Sequence, residues 1–214
     1  MAKPIGILGG TFDPVHHGHL RLALEVYQSC ALAEVRLMPL HTPSHRQSPV
    51  TLPEQRLQML SLAIEKVEGL VVDERELQRG DVSFTVDTLR SLRKELNQQP
   101  LCLIMGMDAF QTLHKWHEWA SLLDYAHIVV ARRPGSDLKL ANAEVSEFYK
   151  KNITTELSDL HTLEAGKILD ISIAELDISS TRIRELISTR QDVHYLLPEN
   201  VISYIEQEDL YHRY

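Results

Sequence analysis

The 214-residue chain is poor in cysteine, in aromatic residues and in positive charge, and it has no long apolar run. Its two cysteines, Cys30 and Cys102, sit singly in apolar surroundings, which excludes a disulfide framework and reads as two reduced core residues. Lysine and arginine number 22 against 30 acidic residues, a net charge of -8, so a general nucleic-acid binder is excluded for want of a positive face. No apolar run is long enough to span a bilayer. The stretch from Met1 to Leu8 is too short for a signal peptide, because Gly9 and Gly10 end it; the expected location is the cytoplasm. Three familiar spacings are also missing: G-x-G-x-x-G, G-x-x-x-x-G-K-[ST] and H-E-x-x-H. Their absence argues against an NAD-dependent oxidoreductase, a P-loop enzyme and a helix-borne zinc site.

What the chain does have is alternation. Short apolar runs at Ile5–Leu8, Val35–Met38, Leu70–Val72, Leu101–Met105, Ile128–Ala131 and Ile168–Ile173 predict strands. Helix-like segments lie between them: Gly18–Ser29, a segment opening at Pro53 with Leu57, Leu60, Ile64 and Val67 at helical spacing, and one carrying Val86, Leu89, Leu92 and Leu96. A further helix is expected near Ala141–Lys151, then a polar stretch without a motif, then helices at Ser180–Ser188 and Pro198–Glu208. This order predicts an α/β fold: a Rossmann-like, doubly wound parallel sheet with helices on both faces. Residues 1–214 read as one domain, with about 175–214 as a small helical extension. In such a sheet ligands bind beyond the carboxyl ends of the strands, so the residues just after each strand are the candidates.

The strongest signal is Gly9-Gly10-Thr11-Phe12-Asp13-Pro14-Val15-His16-His17-Gly18-His19, between a buried strand and a helix. Paired glycines allow close backbone approach and positive φ. A helix start offers N–H groups and partial positive charge to phosphate. His16 and His19 are three apart and project from nearly the same face, where two imidazoles can donate to a polyphosphate. A second cluster, Asp177-Ile178-Ser179-Ser180-Thr181-Arg182-Ile183-Arg184, follows the Ile168–Ile173 strand. Hydroxyls suited to an N-cap, new helix N–H groups and guanidinium forks converge there, and both clusters should share one sheet edge.

The first string resembles the G-x-F-x-P-x-H-x-G-H signature, and the second the I-S-S-T-x-I-R motif, of the adenylyltransferases in the nucleotidyltransferase superfamily. Nearly the whole chain shares the resemblance, which is greatest to the bacterial nicotinate-mononucleotide adenylyltransferases. It implies transfer of AMP from ATP to nicotinate mononucleotide, with release of pyrophosphate, in NAD biosynthesis. It implies ATP contacts from Gly9, Gly10, Thr11, Phe12, His16, His19, Ser179, Ser180, Thr181 and Arg184, with His16, His19 and Arg184 serving catalysis. Gly106-Met107-Asp108 resembles the family's G-x-D motif, where Asp108 reaches a ribose hydroxyl; a helix cap is the competing role.

On the acceptor side, His45 and Arg46 follow the second strand and suit the mononucleotide phosphate. Asp73-Glu74-Arg75-Glu76-Leu77 and Ser83-Phe84-Thr85 resemble two further family stretches, with Phe84 where tyrosine is common. Thr85 stands at a helix start suited to a carboxylate, and Trp116 suits stacking on a pyridinium, with Trp119 assigned to the core. His117 and, in the Arg132-Arg133-Pro134-Gly135 segment, Arg133 complete the substrate set. The attacking phosphate is already anionic, so no general base is needed; Mg2+ is expected on the ATP phosphates without direct protein ligands, with Asp13 placed for a water-mediated contact. Partners are these small molecules alone, without nucleic acid or membrane, and the chain is expected to be a monomer or weak homo-oligomer. The alternatives are a nicotinamide-mononucleotide or phosphopantetheine acceptor, and a nucleotide sensor without catalysis.

Overall fold

The computed structural model describes residues 2–43, 49–80, 82–132, 140–174 and 176–212. The strands are β1 Ile5–Gly10, β2 Glu34–Pro39, β3 Thr42–Pro43, β4 Leu70–Val72, β5 Val82–Ser83, β6 Leu101–Gly106, β7 His127–Arg132, β8 Ile153–Thr154 and β9 Ile168–Ser172. The α-helices are α1 His17–Ser29, α2 Pro53–Ile64, α3 Arg75–Arg79, α4 Thr85–Leu96, α5 Met107–Gln111, α6 Ala143–Asn152, α7 Asp159–Thr162, α8 Ser180–Ser188 and α9 Glu199–Gln207. Seven strands form one sheet in the order β4-β2-β1-β6-β7-β9-β8, parallel throughout, and β3 pairs with β5 in a small second ladder.

The sheet is apolar on both faces because both are covered. Period-two alternation divides its side chains between two cores. Leu101, Leu103 and Met105 of β6 and Ile128 and Val130 of β7 enter one core with Val86, Leu89 and Leu92 of α4. Cys102, Ile104 and Val129 enter the other, with Val26 of α1, Leu60 of α2, Ile183 of α8 and Val201 of α9. The predicted doubly wound sheet and its C-terminal helices are therefore present. Among the described residues no helix is long and apolar enough to cross a membrane.

Three expectations are corrected. The second helix ends at Ile64 rather than reaching Val67, and its buried stripe is Arg56, Met59, Leu60, Ala63 and Ile64, with Leu57 only half-buried. The stripe follows i, i+3, i+4, i+7, i+8 but starts on an arginine. The helix expected near Ala141–Lys151 is α6, and the motif-free polar stretch after it supplies β8 and α7, with β8 adding an edge strand beside β9. Finally, Gly9 and Gly10 do not take positive φ; they extend β1, pairing with Met38 and Pro39, and the left-handed residue is Phe12 at φ 50°.

The order reverses at β1, which has β2 on one side and β6 on the other. Among the described residues, β1 and β6 pair only through Ile5–Ile7 and Leu101–Leu103, so Leu8–Gly10 and Ile104–Gly106 run on unpaired to one another. A crevice at this switch point is where open α/β sheets take ligands.

Candidate active site

Two glycines line the crevice. A Cβ placed on Gly9 or on Gly106 would meet nothing within 4 Å, so the ends of β1 and β6 both present bare backbone to open space. Gly10 is needed for a different reason: the Phe12 ring lies 2.8 Å from where its Cβ would stand. After Thr11 and Phe12 the chain reaches His16, the extended N-cap residue of α1. The His16 and His19 rings stack, with centroids 3.6 Å apart and planes 22° apart, and Phe12 meets His19 edge-on at 5.0 Å. Gly18 makes room for this stack, since a Cβ there would stand 3.0 Å from the His16 ring.

The two imidazoles are not equivalent. His16 is 5% exposed, and burial, aided by His17, pulls its pKa from 6.5 down to about 4, so it is neutral at pH 7. Its Nδ1 is buried and has no hydrogen-bond partner among the described residues. The Nδ1 of His19 accepts the backbone N–H of His16 at 3.3 Å, which assigns the proton of the neutral His19 ring to Nε2 and makes that nitrogen a donor.

The second cluster docks directly on this turn. Ser179 caps α8, its Oγ accepting the Arg182 N–H at 3.3 Å. The Ser180 hydroxyl donates to the Pro14 carbonyl at 2.9 Å, and Arg184 Nη1 donates to the Asp13 carbonyl at 2.7 Å. Arg184 Nη2 also reaches the Thr181 hydroxyl at 3.4 Å. The two sequence clusters thus share one edge of the sheet, as expected. Arg182 turns to Glu185 on the exposed face. Asp108 is exposed in the first turn of α5; Gly106 occupies the N-cap position, so the competing capping role for Asp108 is not seen.

On the acceptor side, β3 pairs with β5, which sets the chain leaving His41 beside the residues entering α4. Phe84 is the N-cap residue of α4 and Thr85 its first helical residue, as predicted. The Phe84 ring packs on His117 at 4.5 Å. Trp116 and Trp119 are both half-buried against the same core, and Trp119 meets Phe148 edge-on at 5.0 Å. His45, Arg46 and Arg133 lie outside the described residues.

Sequence reasoning missed the scaffold beneath the turn. Arg56 is fully buried, and its guanidinium donates to the carbonyls of Thr11 at 2.9 Å, Leu40 at 2.6 Å and His41 at 3.2 Å. It ties the turn after β1 to the end of β2. The carboxylate of Asp13 accepts from Val50 N–H, from Thr51 and from Tyr211, each at 2.7 Å. Those bonds use both lone pairs of Oδ1 and one of Oδ2, so only one acceptor position of Asp13 is left for a water-mediated metal contact. Among the described residues no three His, Cys, Asp or Glu side chains are grouped to hold a metal ion. The Asp73 to Glu76 stretch is also structural: Asp73 pairs with Arg36 and Arg75, and Glu76 is buried, accepting the Thr88 hydroxyl at 2.6 Å.

Comparison with known proteins agrees with this geometry. Residues 7–186 match the family model described as cytidylyltransferase-like. A protein of Aeromonas hydrophila named "Probable nicotinate-nucleotide adenylyltransferase" is 50% identical over 99% of this chain and 98% of its own. One of the same name from Methylococcus capsulatus is 45% identical over 97% of this chain and 99% of its own. The Plasmodium falciparum nicotinic acid mononucleotide adenylyltransferase, solved with APC and with NaAD, superposes with a TM-score of 0.73 at 17% identity, covering 98% of each chain, a likeness of fold. The chain belongs to the cytidylyltransferase-like family and, within it, to the nicotinate-nucleotide adenylyltransferases.

Proposed function

We propose that the chain transfers AMP from ATP to nicotinate mononucleotide, giving nicotinate adenine dinucleotide and pyrophosphate. The observation that carries this reading is the docking of Arg184 and Ser180 on the carbonyls of Asp13 and Pro14, beside the stacked His16 and His19. Donors from two distant segments converge where a triphosphate would lie against the bare backbone of Gly9 and Gly106.

The reaction is an in-line attack. A phosphate oxygen of the mononucleotide attacks the α-phosphorus of ATP as the bond to the pyrophosphate oxygen breaks. The nucleophile needs no base, since a phosphate monoester has a second pKa near ~6. Catalysis therefore rests on positioning and on charge. His19 Nε2–H donates to a phosphate oxygen as charge develops on it. Neutral His16 holds the His19 ring by stacking and backbone contact and turns its own ring edge to the same phosphates. Arg184, with the hydroxyls of Ser179 and Thr181 and the backbone N–H of Ser180 at the start of α8, takes the β- and γ-phosphates and steadies the leaving pyrophosphate. Asp108 takes a ribose hydroxyl of ATP. Magnesium bound through the ATP phosphates would neutralise part of their charge, keeping most of its waters, and the remaining acceptor position on Asp13 Oδ2 would meet it through one of them.

The acceptor lies towards α4. The first-turn N–H groups at Thr85 receive the nicotinate carboxylate, the Phe84, Trp116 and His117 rings flank the pyridinium, and His45, Arg46 and Arg133 serve its phosphate and the adjoining pocket. The enzyme acts in the cytoplasm as a monomer or weak homo-oligomer. The test is pyrophosphate release with ATP and magnesium, comparing nicotinate with nicotinamide mononucleotide. Strong preference for the nicotinate form supports the carboxylate subsite at Thr85. Equal or reversed preference removes that subsite, and no release with either removes the reaction.

A further inference from the structure

Asp13 lies inside the phosphate turn, yet its carboxylate is bonded to the scaffold. Oδ1 accepts from the hydroxyls of Tyr211 and Thr51, each at 2.7 Å, and Oδ2 accepts the Val50 N–H at 2.7 Å. Arg184 stands alongside. Its Nη1 donates to the backbone carbonyl of Asp13 at 2.7 Å but remains 4.0 Å from Oδ2. The site is dry: Asp13 is 3% exposed, Thr51 8% and Tyr211 4%. Opposite charges attract more strongly in such surroundings than in water. A carboxylate allowed to turn would close on the guanidinium as a short, forked ion pair. A forked pair and a phosphate make the same demand on an arginine, so the carboxylate would compete with ATP for Arg184. Three donors oppose that turn. The Tyr211 hydroxyl is the one brought from the far end of the chain, 198 residues away.

We propose that Tyr211 is a positioning residue of the phosphate site: its hydroxyl restrains the Asp13 carboxylate at a distance from Arg184, so that the guanidinium serves ATP phosphate and not the carboxylate. The inference rests on the phosphate role assigned above to Arg184. The tyrosine ring belongs to the core that also holds Met59, Leu60 and Leu210, so loss of the hydroxyl alone leaves the packing in place.

The experiment measures ATP affinity by direct titration, and KM for both substrates, in wild type, Tyr211→Phe, Asp13→Asn and the double variant. Tyr211→Phe should weaken ATP binding and raise KM for ATP about tenfold, the lower range for losing a hydrogen bond to a charged group. KM for nicotinate mononucleotide should stay within about twofold, a split that general loosening would not give. In the Asp13→Asn background the same change should alter ATP affinity by less than about twofold, since no charge remains to collapse on Arg184. Thr51→Val removes a donor to the same oxygen and should show the same ATP-specific signature; it replaces Tyr211→Phe if that variant does not fold. Unchanged ATP affinity, equal shifts for both substrates, or the same effect in both backgrounds overturns the proposal. Titration with ATP needs no turnover, so a wild type that binds ATP but releases no pyrophosphate would remove the functional reading and leave this test intact.

Discussion

A histidine can donate to a phosphate from either ring nitrogen, and the surroundings of His19 leave Nε2 for the task. Its Nδ1 is committed to the His16 backbone, and its neighbour in the stack is a buried, neutral imidazole. His19→Ala deletes the Nε2 donor and should lower kcat by ~100-fold or more, the usual cost of one such donor, while Tm moves little. Activity and thermal melting on the same sample check both halves. Arg56 behaves differently, because it touches only protein. Arg56→Ala removes the guanidinium from three carbonyls and leaves a hole beneath the turn, and should cost about 2–4 kcal/mol in urea unfolding. Arg56→Lys should recover only part of this, since an ammonium cannot fork across Thr11, Leu40 and His41. The contrast explains what was legible. His16, His19, Ser179, Ser180 and Arg184 stand in contiguous strings because a strand-to-helix turn delivers neighbours in sequence to one ligand. Arg56, Thr51 and Tyr211 act through partners 45, 38 and 198 residues away, which no local pattern displays. Arg56 left one trace: it falls on the buried stripe of α2, where an unpartnered charge is not tolerated.

At the scale of elements, the first turn of α1 has two tasks in conflict. Gly18 weakens the helix, as an interior glycine costs about 1 kcal/mol relative to alanine. Its missing Cβ is the space in which the His16 ring lies. Gly18→Ala should therefore leave the melting temperature close to wild type, with propensity gained offset by crowding, but displace the stacked pair and lower kcat by ~10-fold or more. Calorimetry beside steady-state kinetics decides it: a variant with full activity would show that the stack tolerates movement. The long elements were legible because the strands are unbroken apolar runs bounded by polar or turn residues and the helices keep a period of 3.6 over several turns. The two-residue strands β3, β5 and β8 were not, because two residues make neither a run nor a period. Their placement comes from the sheet edge or from one another. That is why the acceptor side, where β3 meets β5, was less readable than the ATP side.

Over the whole molecule, two buried histidines make stability depend on mild acid. His16 is held at a pKa of about 4 mainly by burial, and burial also lowers that of His127. His127 is fully buried: Nδ1 accepts the Lys167 N–H at 3.1 Å and Nε2 donates to the Leu163 carbonyl at 3.0 Å, an arrangement that needs the neutral ring. For both groups the unfolded chain binds a proton near pH 6.5 and the folded chain only at lower pH. Their stabilising effect is then complete above about pH 6.5 and is lost as the pH falls, for His16 towards 4. His16 alone accounts for on the order of 3 kcal/mol across that window. Asp73, whose pKa is lowered by hydrogen bonding to Arg75 against the opposing effect of its burial, extends the loss to more acid pH. His194 opposes the trend, because its exposed ring gains Asp192 as a partner when protonated. Urea unfolding at intervals between pH 7.5 and 4.5 should show stability falling below pH 6.5. In His127→Gln, where an amide can both accept from Lys167 and donate to Leu163 without a charge to suppress, the slope should be shallower than in wild type by up to ~1.4 kcal/mol per pH unit. Parallel slopes would mean that His127 takes up its proton as readily in the folded protein as in the unfolded chain, and that the bond to its Nδ1 is not what holds the ring.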